Sequence, residues 1–215
     1  MNTVAVVDYG MGNLRSVVKA LEHVAPNDTR VLLTDRAEDI LEADRVVFPG
    51  QGAARDCMQA LQARALSGVL RETALTRPFL GICMGMQVLM DHSEENGGTE
   101  CLGIIPGRVR WFGNELKGPR GECLKIPHMG WNQVRQVHAH PLWAGIEQDS
   151  RFYFVHSYYV EPTALQGVAG TTDYGMPFTS VIAKDHIFAI QCHPEKSAAT
   201  GLTLLRNFMR WNGGV

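Results

Sequence analysis

Up to residue 82 the chain alternates short apolar runs with segments whose apolar residues recur every three or four positions, and this alternation leaves few architectures open. Residues 3–7 read as a strand, after which Leu14, Val17, Val18, Leu21 and Val24 form one helical stripe. A strand at 30–33, a short helix at 37–43, a strand at 45–48 and helical stretches between 53 and 75 lead to another apolar run at 78–82. Strands separated by helices suit a parallel sheet, because parallel neighbours need a long crossover. The expectation is a wound, largely parallel α/β sheet flanked by helices, with ligands beyond the carboxyl ends of its strands. The second half differs. Runs at 107–112, 131–137, 151–155, 178–183 and 187–191 are joined by turns and predict added antiparallel strands, and a last helix at 198–210 carries Leu202, Leu205 and Phe208 towards the sheet. Residues 93–99 are the clearest loop and 113–121 the next. Neither has the character of a linker, so one domain is expected over residues 1–215.

With 215 residues and 45% hydrophobic content, the chain can bury one sizeable core. A net charge of −2 with both signs interspersed leaves no footprint for nucleic acid or an anionic membrane. Arg108, Arg110, Lys117, Arg120 and Lys125 are interrupted by Glu115 and Glu122 and read as a solvated face. The apolar stretch 78–90 is too short to span a bilayer and the N-terminus lacks a signal-peptide core, which predicts a cytoplasmic protein. Five cysteines, odd in number and without paired close spacing, predict free thiols and neither a metal nor a cofactor. Cys192 and His193 are strand neighbours and point to opposite faces, so Cys192 is expected in the core and His193 at a site. Gly10-Met11-Gly12 lacks the third glycine of a dinucleotide fingerprint, its place being taken by Arg15.

Two segments carry chemistry. In Gly81-Ile82-Cys83-Met84-Gly85-Met86-Gln87, a buried strand gives way to residues at helical spacing, among them Met84, Val88 and Leu89, with a thiol at the turn. Flanking glycines allow a sharp turn and close approach of neighbours, and free N–H groups at a helix start favour a thiolate and bind an oxyanion. In Gln191-Cys192-His193-Pro194-Glu195-Lys196, an imidazole ends an apolar strand beside a carboxylate, with Pro194 restricting their relation. Alone, the cysteine reads as core and the His-Pro-Glu as a strand end before a helix cap. Together they point to nucleophilic catalysis with Cys83 as nucleophile, His193 as proton carrier and Glu195 as its orienter. Phe48-Pro49-Gly50-Gln51-Gly52 ends the third strand at the same sheet edge, either as a plain turn or as a source of N–H groups for the nucleophile.

These segments resemble the catalytic centre of class I, triad-type glutamine amidotransferases, which hydrolyse glutamine to glutamate and ammonia. Val7-Asp8-Tyr9-Gly10-Met11-Gly12-Asn13-Leu14-Arg15-Ser16, Ile126-Pro127-His128-Met129-Gly130-Trp131-Asn132 and Phe154-Val155-His156-Ser157-Tyr158-Tyr159 are similar to the glutaminase subunits of imidazole glycerol phosphate synthases. The likeness runs from Val4 to about Phe208; Met84 and Cys192 stand where Leu and Phe are more usual. The resemblance implies an oxyanion hole at Gly50, Gln51, Gly52 and Met84; if the turn serves that way, the glycines at 50 and 52 would let a peptide rotation there gate activity. It implies glutamine contacts at Gln87, His156, Ser157 and Tyr158. It also implies a heterodimer with a cyclase subunit, a (β/α)8 barrel of histidine biosynthesis, docked near Asn13, Trp131, Asn132 and Lys196. His128, Trp131 and Asn132 have core packing as their other reading, and the tyrosines of 152–160 have the same. The alternative readings are the glutaminase subunit of another biosynthetic amidotransferase and a Cys-dependent γ-glutamyl hydrolase acting alone.

Overall fold

The computed structural model describes residues 2–214. β1 (Asn2–Val7), β2 (Thr29–Thr34), β3 (Arg45–Gly50) and β4 (Phe79–Cys83) alternate with α1 (Leu14–Val24), α2 (Ala37–Glu42), α3 (Ala54–Ala63) and α4 (Leu66–Thr76). A one-turn helix, α5 (Met84–Gln87), follows β4 directly. After it come the short β5 (His92–Ser93) and β6 (Thr99–Glu100), then β7 (Gly107–Trp111), β8 (His128–Gln133) and β9 (Arg135–Gln136). β10 (Arg151–His156), β11 (Tyr158–Pro162), β12 (Val168–Asp173), β13 (Pro177–Lys184) and β14 (Ile187–Ile190) precede α6 (Ala198–Arg210).

A 12-stranded sheet runs β2-β1-β3-β4-β14-β13-β11-β7-β5-β6, with β12 pairing to β13 and β9. Every pairing from β2 through β14 is parallel. Beyond β14 the pairings to β13, β11 and β7 are antiparallel, so the added strands expected in the second half extend one edge. β8 and β10 form a separate antiparallel pair. Both faces of the parallel part are covered, as such sheets require. Along β1, Val4 and Val6 face α1 and α6 through Val17, Leu21, Leu204, Leu205 and Phe208. Ala5 and Val7 face the opposite layer, with Ile40, Leu61 and Leu70 from α2, α3 and α4.

Three local expectations are corrected. The helix after Cys83 lasts one turn, because the carbonyls of Val88, Leu89 and Met90 accept hydrogen bonds from Leu102, Ile104 and Gly103, taking them out of any helical ladder. The strand expected at 131–137 begins at His128 and breaks before Arg135, where the chain passes from one sheet to the other. The aromatic run 152–160 is two strands in different sheets, β10 and β11, separated at Ser157.

α5 packs so closely on β3 that a Cβ at Gly85 would run into the carbonyl oxygen of Phe48, whereas a Cβ at Gly68 in α4 would meet nothing within 4 Å. Gly85→Ala is expected to cost about 3 kcal/mol, lowering the midpoint by roughly 2–4 °C per kcal/mol. Gly68→Ala is expected to stabilise by about 0.5–1 kcal/mol. Thermal unfolding of the two variants beside wild type checks the contrast, which fails if they shift alike.

Candidate active site

β3 and β4 lie side by side with Gly50 paired to Cys83, so the thiol and the turn after Gly50 leave the sheet at one level. Cys83 takes φ 55 and ψ −110, a conformation costing a residue with a Cβ about 1–3 kcal/mol. The flanking glycines do not carry that strain. A Cβ on Gly81 would lie 2.9 Å from the Gly85 carbonyl oxygen, so both glycines are there for close approach. The bend therefore falls on the cysteine itself and turns its sulfur out of the sheet edge, as in a nucleophile elbow.

His193 follows β14, the strand next to β4. Its N–H donates to the Tyr153 carbonyl at 2.8 Å and its own carbonyl accepts from the Ser197 hydroxyl at 2.6 Å, which fixes the backbone. Cys192 is buried in the core, as alternation predicts. The His193 Nδ1–H donates to Glu195 Oε1 at 2.9 Å, and the two side chains are only 7% and 3% exposed. That bond occupies Nδ1 and leaves Nε2 as the ring nitrogen that can exchange a proton. Burial works against the imidazolium, but the Cys83 sulfur and the Glu195 carboxylate outweigh it and raise the His193 pKa to about 10.

A cavity of about 490 Å³ opens over Cys83 and His193 and takes its walls from Gln51, Gly52, Met84, Gln87, His156, Ser157 and Tyr158. Met11 and Gly12 of the first turn also reach it. Gly50 lies beside this cavity in a crevice shared with Asn13, Glu195 and Lys196. The structure thus brings the expected nucleophile, proton carrier, turn and glutamine contacts to one place.

Hydrogen bonds divide these side chains by what each still has to offer. The Tyr158 carbonyl accepts from His156 Nδ1 at 2.8 Å and from Gln87 Nε2 at 3.2 Å. His156 Nε2 must then accept from His128 Nδ1 at 2.9 Å, and His128 Nε2 from Asn132 Nδ2 at 3.2 Å. Both ring nitrogens of His156 are occupied, so its side chain offers no free nitrogen to a ligand. Gln87 Nε2 also donates to Gln191 Oε1 at 3.0 Å, so this side chain turns its oxygen, an acceptor, to a ligand. Gln191, whose Nε2 donates to Cys83 Sγ at 3.6 Å, was missed in the sequence although it belongs to the same motif as His193.

Of the expected interface residues, Asn13, Trp131 and Lys196 are exposed, while Asn132 is half-buried and committed to His128 and the Asp173 carbonyl. β8 alternates buried His128 with exposed Met129 and Trp131, which are 63% and 44% accessible and make an outward apolar pair. Met129 was missed in the sequence, though period-two alternation from Trp131 points to it.

A family model described as Glutamine amidotransferase class-I matches residues 5–211. The chain is 60% identical over 212 residues to imidazole glycerol phosphate synthase subunit HisH of Thiobacillus denitrificans, covering 98% of this chain and 92% of that one. It is 57% identical to the subunit of the same name in Methylococcus capsulatus, covering 98% and 97%. The crystal structure of a glutamine amidotransferase superposes with a TM-score of 0.70 at 15% identity, over 98% and 99% of the two chains. The glutaminase domain of Trypanosoma brucei CTPS, solved with bound acivicin, gives 0.63 at 18%, over 98% and 94%. These last two similarities concern the fold alone.

A proton held by His193 at a pKa raised from 6.5 to about 10 contributes stability that is complete below pH 6.5 and is lost as pH climbs through 10. Glu195→Gln removes one of the groups holding that proton. The stability gap between wild type and variant should be widest near about pH 6 and narrow as the pH passes about 10. Thermal unfolding across that range checks it, and a gap independent of pH would refute it.

Proposed function

The chain belongs to the class-I glutamine amidotransferases, and from that membership we propose that Cys83, His193 and Glu195 are its nucleophile, proton carrier and orienting carboxylate. Its function is that of a glutaminase subunit of imidazole glycerol phosphate synthase, supplying ammonia from glutamine in histidine biosynthesis. The observation that carries the site assignment is the convergence of a strained thiol and a carboxylate-bound imidazole on one cavity.

The Cys83 sulfur, its proton taken by His193 Nε2, attacks the side-chain amide carbon of glutamine. The N–H of Met84, at the start of α5, and those of the turn at Gly50, Gln51 and Gly52 stabilise the oxyanion. The imidazolium then protonates the departing ammonia. Water, giving its proton to His193, cleaves the thioester and returns the thiolate. Glu195 holds Nδ1–H throughout, so that Nε2 always faces the reacting atoms. At the other end of the substrate, Gln87 Oε1 accepts from the α-ammonium, while Ser157 and the backbone of 156–158 hold the α-carboxylate, with the Tyr158 ring closing the wall.

The subunit works with a partner that consumes the ammonia. We propose that this is a (β/α)8-barrel cyclase bound as a heterodimer, covering Asn13, Trp131, Asn132 and Lys196 and, on the same strand as Trp131, Met129. A ring of this size with an exposed apolar neighbour suits the centre of an interface. We read residues 1–215 as a single type 1 glutamine amidotransferase domain. The cysteines are unpaired among the described residues, which fits a reducing, cytoplasmic setting. No helix among those residues is long and apolar enough to cross a membrane.

Glutamate release from glutamine, measured with and without the cyclase, tests the assignment. The complex should turn over much faster than the isolated chain, and Cys83→Ala should lower the rate of the complex at least ~1000-fold; a variant retaining wild-type turnover refutes the role of the thiol. Gly52 has φ +92 and its added Cβ would lie 3.0 Å from Met11 Cε. Gly52→Ala strains that turn by about 1–2 kcal/mol and should leave partner-stimulated hydrolysis low. Full stimulation in that variant would count against gating by the turn.

A further inference from the structure

We propose that Gln191 is a further catalytic residue, whose amide N–H holds the Cys83 sulfur in place and stabilises it as the leaving group when the thioester is cleaved. This rests on the assignment of Cys83 as nucleophile. Gln191 is completely buried, just past β14, and its Nε2 lies 3.6 Å from Cys83 Sγ. Its orientation follows from the neighbours. A carbonyl only accepts, so the Gln87 atom on the Tyr158 oxygen is Nε2, and that nitrogen's second proton points at Gln191. The Gln191 atom receiving it must be Oε1, which leaves the NH2 group facing the sulfur. Turning the Gln191 amide over would set its oxygen against the sulfur and its nitrogen against another donor.

Gln191 and His193 are two residues apart with Cys192 turned into the core between them, so one strand end brings both groups to the nucleophile of its neighbour. Their tasks divide. His193 moves the proton; Gln191 meets the electron pair. An N–H bond to a thiolate is charge-assisted, and it weakens once the sulfur is acylated and neutral. In the second half-reaction water adds to the acyl carbon and passes a proton to His193, the C–S bond breaks, and its electrons return to sulfur, where the Gln191 bond is restored.

The probe is iodoacetamide on the full chain, with alkylation read at the Cys83 peptide by mass spectrometry across pH. Gln191→Met keeps the length without a donor; Gln191→Glu keeps the shape and places an oxygen at the sulfur. Losing a bond worth tenfold in thiolate formation, while making the remaining thiolate more nucleophilic, should leave either variant roughly threefold slower than wild type at low pH and roughly threefold faster at high pH. A simply loosened structure would not produce that crossover. With glutamine and the cyclase, acid-quenched Gln191→Met should show an accumulated thioester that wild type does not. A variant-to-wild-type ratio that is flat with pH in both variants, in a wild type that hydrolyses glutamine, overturns the role of Gln191 and leaves the glutaminase assignment standing. The crossover in a chain that releases no glutamate would support the sulfur contact and sink the glutaminase assignment instead.

Discussion

The parallel pairing of β3 with β4, Gly50 opposite Cys83, is the constraint on which the site rests. It puts the thiol and the turn that would serve its oxyanion on adjacent strands at one height, and it is held from both faces by packed layers. The contact is close enough to dictate residues. A side chain at Gly85 would strike the Phe48 carbonyl, and one at Gly50 would strike the Tyr9 hydroxyl. With α5 lying this close against β3, the bend between strand and helix is concentrated at Cys83, where φ is 55. Burial of the surrounding strands supplies the free energy that keeps this conformation populated.

A single carbonyl, that of Tyr158, organises the opposite wall. By accepting from His156 and from Gln87 it sets the tautomers of two histidines and the orientation of two glutamine side chains, ending at the sulfur. Burial lowers the His156 pKa to about 3 and that of His128 to about 4, so both rings stay neutral and each keeps one donor and one acceptor. His193 is shifted the other way, although it is also buried, because the sulfur and a carboxylate face it. Of the two histidines that line the cavity, His156 is thus neutral and fixed by His128 behind it, while His193 holds a proton.

Much of this was legible in the chain because its signals are local. Apolar runs and three-to-four spacing are written into neighbouring residues, so the order of strands and helices up to Cys83, and the final helix, emerged at nearly the observed boundaries. The break at Ser157 was not legible, since aromatic residues fill both strands and only their different partners, β8 on one side and β7 on the other, divide them. The short α5 escaped for a similar reason: with every residue from 81 to 90 buried, no polar face marks where the helix stops.

The chain by itself determined which groups could do chemistry. Cys83, His193 and Glu195 carry a thiol, an imidazole and a carboxylate, and that holds wherever the segments end up. Only the tertiary structure decided which atoms of the surrounding residues are free. His156 lost both nitrogens to the wall, Gln87 was left with its oxygen, and Gln191 was turned towards the sulfur. Hydrogen-bond partners are chosen across the sheet by segments far apart in the chain, and each bond made there removes a donor or acceptor that residue identity alone would count as available.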